Sequence, residues 1–256
     1  ANDRITHEYR IQNARYPLNV CYTQSREWII WGDYARPKTP RGVNVYLSTD
    51  LGESWNRVYC FKAGAIRHVH NIVFDPFRDL FWVLTGDRNN EAGIWKTEDF
   101  SEVLPFLTGK QEYRAVSIIP TPTGLIIPTD TPSQRNYVQY YSFERERLEP
   151  LEELNGSALY CSKVKNWIFL STAYEPSRIN KHKFAELWGA KETGDWKQLL
   201  SFKKDFLPVR YFQYPVVKIP YYAEDYQGDF YYFSTRSVKG GSRVLIYRDS
   251  QLREFL

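Results

Sequence analysis

The chain has 256 residues, and its 34 Lys and Arg against 30 Asp and Glu leave a net charge of +4, a size that suits one large domain or two small ones. With 43% apolar and 17% aromatic residues but only 14 Gly and 14 Pro, it is excluded from the collagen-like, low-complexity and disordered classes. Basic residues scattered along a nearly neutral chain do not build the field of a nucleic-acid binder, so no such partner is expected.

The N-terminus, Ala1-Asn2-Asp3-Arg4, has neither a basic n-region nor an apolar h-region, and no run approaches eighteen apolar residues. A chain without signal or membrane span is expected, with a cytoplasmic location favoured over a secreted one. Three cysteines, Cys21, Cys60 and Cys161, stand in strand-like runs. An odd count is no disulfide framework, and buried inert thiols are expected.

After a first strand over Ile5–Ile11, the chain is a succession of short Val, Ile, Tyr, Phe and Trp runs separated by Gly, Pro, Asp, Asn or Ser, which predicts an all-β fold. One pattern recurs. The apolar runs Trp28–Trp31, Leu80–Leu84, Leu125–Ile127, Trp167–Leu170 and Phe230–Phe233 each close on small residues and then a charged group: Asp33, Asp87, Asp130, Glu175 and Arg236. From Asp33 to Arg236 the interval averages about 51 residues, so 256 residues hold about five units. A strand precedes each run, starting at Arg15, His68, Arg114, Ser157 and Arg210. Stretches with some helical composition, Leu148–Leu154 and Lys181–Leu187, lack a full apolar stripe and are taken as strand or loop.

Behind each charged group a further hairpin is expected, Ser48 to Trp55 in the first unit, with the same spacing from Lys96 to Val103, Gly189 to Trp196 and Arg248 to Phe255. Four strands per unit and five units predict a single-domain β-propeller over residues 1–256, with six blades as the alternative. Its blades start near residues 15, 68, 114, 157 and 210, and residues 5–11 close the last blade as its outer strand.

Ser48-Thr49-Asp50-Leu51-Gly52-Glu53-Ser54-Trp55 matches S-x-D-x-G-x-x-W and resembles the Asp-box, or BNR repeat, of sialidase-like propellers. In such a hairpin Asp50 accepts N–H bonds from the turn, Gly52 supplies a positive φ, and Trp55 packs back on the sheet. Tyr9-Arg10-Ile11-Gln12 and Trp31-Gly32-Asp33-Tyr34 are also similar to the opening of a sialidase, a resemblance that implies a carboxylate-binding role for Arg10 and an acid/base role for Asp33. Gln12 stands where that family has proline. Segments such as Arg67–Asn71, Phe74–Pro76, Ser171–Pro176 and Glu186–Trp188 resemble uncharacterised bacterial Asp-box proteins grouped loosely with glycosyl hydrolases.

In a propeller the starts of the first strands and the ends of the second strands lie on one face. Asp33, Asp87, Asp130 and Glu175 are therefore the candidate catalytic acids of a central funnel, on the face opposite Trp55, and Arg15, His68, His70, Arg114, Arg210, Arg236 and Tyr214 are the candidate substrate-binding groups. His68 and His70 face one way and have Asp87 for company, yet no third His or Cys stands at ligand spacing, and no metal or cofactor is expected. The expected function is that of a carbohydrate-active propeller. It is expected to be a glycoside hydrolase acting on a poly- or oligosaccharide through the funnel acids, with a non-catalytic binder of glycan or protein as the alternative, monomeric, and with an acidic sugar favoured over a neutral one.

Overall fold

The structure is a computed structural model that describes residues 8–11, 16–35, 39–191, 194–222 and 226–254. It is all-β among these residues. The chain divides into two compact units, Ala1–Ala115 and Val116–Leu256.

The first unit holds two antiparallel four-stranded meanders, β1 (Val20–Thr23), β2 (Trp28–Gly32), β3 (Val43–Ser48) and β4 (Asn56–Phe61), then β5 (His68–Asp75), β6 (Leu80–Gly86), β7 (Gly93–Thr97) and β8 (Leu104–Thr108). Their inner strands are apolar on both faces, as strands sandwiched between layers must be. Ile30, Val45, Phe81, Val83 and Phe100 are fully buried in one cluster.

The second unit has two more such meanders. The first comprises β9 (Ile119–Pro120), β10 (Gly124–Pro128), β11 (Asn136–Ser142) and β12 (Arg147–Leu154); the second comprises β13 (Ser157–Val164), β14 (Trp167–Ala173), β15 (Phe184–Lys191) and β16 (Lys197–Lys203). A three-stranded sheet follows, β17 (Val216–Lys218), β18 (Phe230–Arg236) and β19 (Val244–Arg248). Trp167, Phe169, Tyr231 and Phe233 dominate one of its cores, and Ile126, Val138, Leu170 and Ala190 another. The ambiguous stretches at 148–154 and 181–187 fall largely in β12 and β15.

Several local expectations are corrected. Arg114 and Arg210 do not start strands. Arg114 follows a 3₁₀ turn, Gln111–Tyr113, and Arg210 lies in a turn, while the first strands of these sheets begin at Ile119 and Val216. Prolines limit both regions: Pro120 and Pro122 end β9 after two residues, and Pro208 and Pro215 bracket the aromatic run Tyr211–Tyr214 that otherwise has strand composition. Arg248 does not open a hairpin. A short helix α1 (Asp249–Arg253) follows β19, because Gln251 Oε1 accepts the Arg248 N–H at 2.9 Å and Asp249 Oδ2 accepts from Arg253 Nε at 2.6 Å. Phe255 and Arg15 lie outside the described residues, as do residues 5–7 of the expected closing strand. Residues 8–11 form no strand, and Tyr9 packs on Trp31, Tyr46 and Trp55 of the first sheet. The thiols are free, and Cys60 is exposed rather than buried.

The Ser48–Trp55 segment is the hairpin between the third and fourth strands of its sheet. Asp50 Oδ1 accepts the Ser54 N–H at 2.9 Å and Oδ2 accepts the Ser54 hydroxyl at 2.6 Å. Ser48 Oγ accepts the Gly52 N–H at 2.8 Å, Gly52 adopts φ 97°, and Trp55 lies edge-on to Trp31 at 5.9 Å. The β7–β8 turn repeats the arrangement in reduced form, Thr97 Oγ1 accepting the Phe100 N–H and Asp99 the Ser101 N–H. In both sheets this hairpin and the end of the second strand are at opposite ends, since Ile29 pairs with Ser48 and Phe81 with Thr97. Asp33 and Asp87 therefore sit at the far end from these turns.

No helix among the described residues is long and apolar enough to cross a membrane.

Candidate functional site

Every charged group singled out by the repeat stands at the end of a second strand: Asp33 after β2, Asp87 after β6, Asp130 after β10, Glu175 after β14, and Arg236 as the last residue of β18. A backbone link recurs at these ends. The carbonyl of Asp33 accepts the Val69 N–H, and that of Thr129 accepts the Ala158 N–H, each at 3.0 Å, so the end of one sheet's second strand meets the first strand of the next.

Asp87 is the centre of a polar cluster in the first unit. His68 opens β5, His70 stands at a bulge between Val69 and Asn71 in the pairing with β6, and the two ring centroids are 4.9 Å apart. Gly86 makes room for it, because a Cβ there would lie 2.4 Å from His70 Cε1. Asp87 Oδ1 stands 3.4 Å from His68 Nε2, 3.7 Å from His70 Nε2 and 3.2 Å from an Arg114 guanidinium nitrogen. Arg67 reaches Oδ2 at 3.2 Å and lies 3.9 Å from Glu91, and the Gln111 amide donates to the Asp87 carbonyl at 2.8 Å. Burial opposes ionisation of Asp87, but the neighbouring His68 and His70 rings and the charge of Arg114 outweigh it and hold the carboxyl far below the usual carboxylate range. For His70, burial is the largest influence and lowers its affinity for a proton, the neighbouring Asp87 carboxylate working against it.

Asp33 has a different environment. Its Oδ2 accepts both the Asn44 backbone N–H at 3.0 Å and the Asn44 side-chain amide at 2.9 Å, while Oδ1 is buried and has no hydrogen-bond partner among the described residues. Burial raises its pKa, and the Asn44 bonds and the charge of Arg41 offset this only in part. The two acids at the second-strand ends of the first unit are thus driven in opposite directions, Asp33 up and Asp87 down.

In the second unit Asp130 is buried, and Glu175 is half-buried and accepts the Ser157 hydroxyl at 3.0 Å. Glu186, which no spacing singled out, is fully buried. It accepts from Trp188 Nε1 at 3.0 Å and Asn155 at 3.1 Å, with His182 at 3.0 Å. Tyr214 is half-buried before β17, and Arg236 is exposed. Arg210 is exposed too, its guanidinium 5.4 Å from the Tyr211 ring.

Arg210 also lines a cleft of about 830 Å³. Four lysines share it, Lys183, Lys203, Lys204 and Lys239, against a single acid, Asp205, which is paired with Lys204. Five cations to one acid give this wall as large an excess as the whole chain carries. Tyr174 and Phe206 add aromatic faces, and Phe206 is 92% exposed. These lysines come from three separate turns and strand ends, which is why the sequence shows them only as scattered charges.

No protein-family model and no curated protein matches this chain. Solved structures do. TolB from Acinetobacter baumannii is 16% identical with a TM-score of 0.50 over 90% of this chain and 54% of its own. The tricorn protease is 10% identical with a TM-score of 0.51, over 91% of this chain and 21% of its own. The β-propeller domain of the Trilobed protease from Pyrococcus furiosus is 10% identical with a TM-score of 0.47. The likeness to TolB and the tricorn protease is one of fold. The chain spans about half the length of the TolB chain and a fifth of the tricorn protease.

Proposed function

We propose that this chain is a five-bladed, Asp-box β-propeller that binds an acidic glycan, as a single domain and a monomer. The fold part is supported by the succession of meander sheets, by the polar group at the same place in each, and by the repeated link from one sheet's second strand to the next sheet's first. The ligand part is carried by one observation, the lysine- and arginine-walled cleft of the second unit with its exposed Phe206. Cations without a matching carboxylate hold uronate or sialate carboxyls through charge-assisted hydrogen bonds, and an exposed ring stacks on a sugar face. Arg114, by contrast, is compensated by Asp87.

A second reading, glycoside hydrolysis in the first unit, is favoured by the opposed environments of Asp33 and Asp87. Carboxyls whose pKa values are pushed apart are the usual acid and base of such a site. His68 and His70, beside Asp87 in the same unit, would line that site.

Calorimetric titration with oligogalacturonate, a sialylated oligosaccharide and neutral cellohexaose, with released sugar assayed in the same samples, tests both. An acidic oligosaccharide should bind and cellohexaose should not. Lys203→Ala or Arg210→Ala should weaken binding by about ten- to a hundred-fold, the scale of one charged hydrogen bond at roughly 1.5–3 kcal/mol. Equal affinity for cellohexaose, or unchanged affinity in both variants, would sink the acidic-glycan reading. Sugar release that vanishes in Asp33→Asn would establish the hydrolase.

A further inference from the structure

The two histidines beside Asp87 present an electrostatic problem. His68 Nδ1 lies 3.0 Å from the Ala35 carbonyl oxygen, and His70 Nδ1 lies 3.0 Å from that of Ala115. A carbonyl oxygen only accepts, so both Nδ1 atoms carry the proton, and in a neutral ring Nε2 is then a bare lone pair. Yet the two Nε2 atoms face each other at 3.0 Å, and both face the anionic Oδ1 of Asp87. Three electron-rich atoms this close repel unless something positive lies among them.

We propose that His68, His70 and Asp87 form a binding site for a divalent transition-metal cation of the zinc type. The three donor atoms are the corners of a triangle with sides of 3.0, 3.4 and 3.7 Å, and its centre is about 2.0 Å from each corner, the length of a Zn–N or Zn–O bond. Ligand histidines hold their other ring N–H on a carbonyl or carboxylate, which fixes tautomer and ring plane; both rings here do so. Arg67 on Oδ2 and Arg114 beside Oδ1 orient the carboxylate from the outer shell. Gly86 and the burial of both imidazoles, 0% and 2% exposed, leave the rings no room to turn away. Asp87, 18% exposed, is the route in. Two nitrogens and one oxygen leave a fourth position of a tetrahedron for water or a ligand oxygen, and this donor set suits zinc better than magnesium or calcium.

The rival is a proton shared between the two Nε2 atoms, an imidazolium in a site already facing Arg67 and Arg114, with Asp87 and Glu91 as the counter-charges. The two are told apart by the Nε2 proton, which the rival keeps and a bound metal replaces. The metal site stands apart from the glycan-binding reading, since it lies in the first unit and uses none of the cleft residues.

The test uses the whole chain, stripped with a chelator and titrated with Zn²⁺ against a chromophoric competitor, while ¹⁵N-histidine NMR follows the ring nitrogens. One Zn²⁺ per chain should bind, and the Nε2 signals of His68 and His70 should shift together. His70→Gln and Asp87→Asn should each weaken binding by at least about 100-fold, and His182→Ala should not. Should those variants fail to fold, the NMR of the unaltered chain decides alone. No stoichiometric binding, binding that moves neither Nε2, or an Nε2 proton that persists at saturating Zn²⁺ would overturn the proposal.

Discussion

Asp33 shows how much a single position can conceal. The repeat identifies it as one of five equivalent charged groups, but its chemistry is set by Asn44, eleven residues away on the neighbouring strand, which donates two hydrogen bonds to one carboxylate oxygen. Its raised pKa means that the folded state holds this proton more tightly than the unfolded state does. The resulting stabilisation is complete below the unfolded value, near 4, and declines as pH rises through the folded value. Asp33→Asn keeps an acceptor for both Asn44 donors and abolishes the titration. Its melting temperature relative to the unaltered protein should therefore climb as pH rises above about 4. Asp33→Ala strands both donors and should cost roughly 1–3 kcal/mol in chemical denaturation. A melting difference for Asp33→Asn that is flat from pH 4 to 7 would remove the burial account. Of the partners of Asp87, His68, His70 and Arg114 were picked out with it, whereas Arg67 was not, because it stands outside the periodic pattern that drew attention to Asp87.

At the scale of the element, the Asp-box hairpin was legible because its geometry is local: Ser48, Asp50, Gly52 and Ser54 satisfy one another within seven residues. The hydrogen bonds from the Ser54 hydroxyl, the Ser54 N–H and the Ser48 hydroxyl hold the Asp50 carboxyl down to about 2. The sign follows from that depression. The hairpin's stabilisation from ionised Asp50 is present above the unfolded value, near 4, and is lost as pH falls through about 2. An Asp50 carboxyl ¹³C titration should have its midpoint near 2, and Ser54→Ala should bring it back towards 4; a midpoint near 4 in the unaltered chain would refute the turn as drawn. First-strand positions were less legible. Composition marks Arg114–Ile119 and Arg210–Tyr214 as strands, but pairing needs donors as well as apolar side chains. Pro208 and Pro215 withhold them on either side of Tyr211–Tyr214, so that ladder starts at Val216, while Pro120 and Pro122 end β9 after two residues. His68 and Ser157, with no proline nearby, do begin strands where the pattern placed them.

At the scale of the molecule, the repeat of about fifty residues was visible because each sheet reuses one order of apolar run, small residues and charge. The lysine cleft was not, since its cations come together only when the β15–β16 sheet ends and the turns at 205–210 and 239–241 are folded. A single propeller makes a cooperative claim that a pair of separate domains does not. Five tryptophans, Trp28, Trp31, Trp55, Trp82 and Trp95, belong to the first unit, and three, Trp167, Trp188 and Trp196, belong to the second. Replacing Trp55 and Trp95 with Phe shifts the fluorescence signal towards the second unit while leaving the fully buried Trp82 and Trp167 in place. If the sheets form one ring, both the unaltered and the substituted chain should unfold in denaturant with fluorescence and far-UV circular dichroism superimposed, and the calorimetric and van't Hoff enthalpies should agree. Two resolved transitions, with the tryptophan-depleted chain reporting mainly the second, would divide the molecule at residue 115 and overturn the single-propeller proposal.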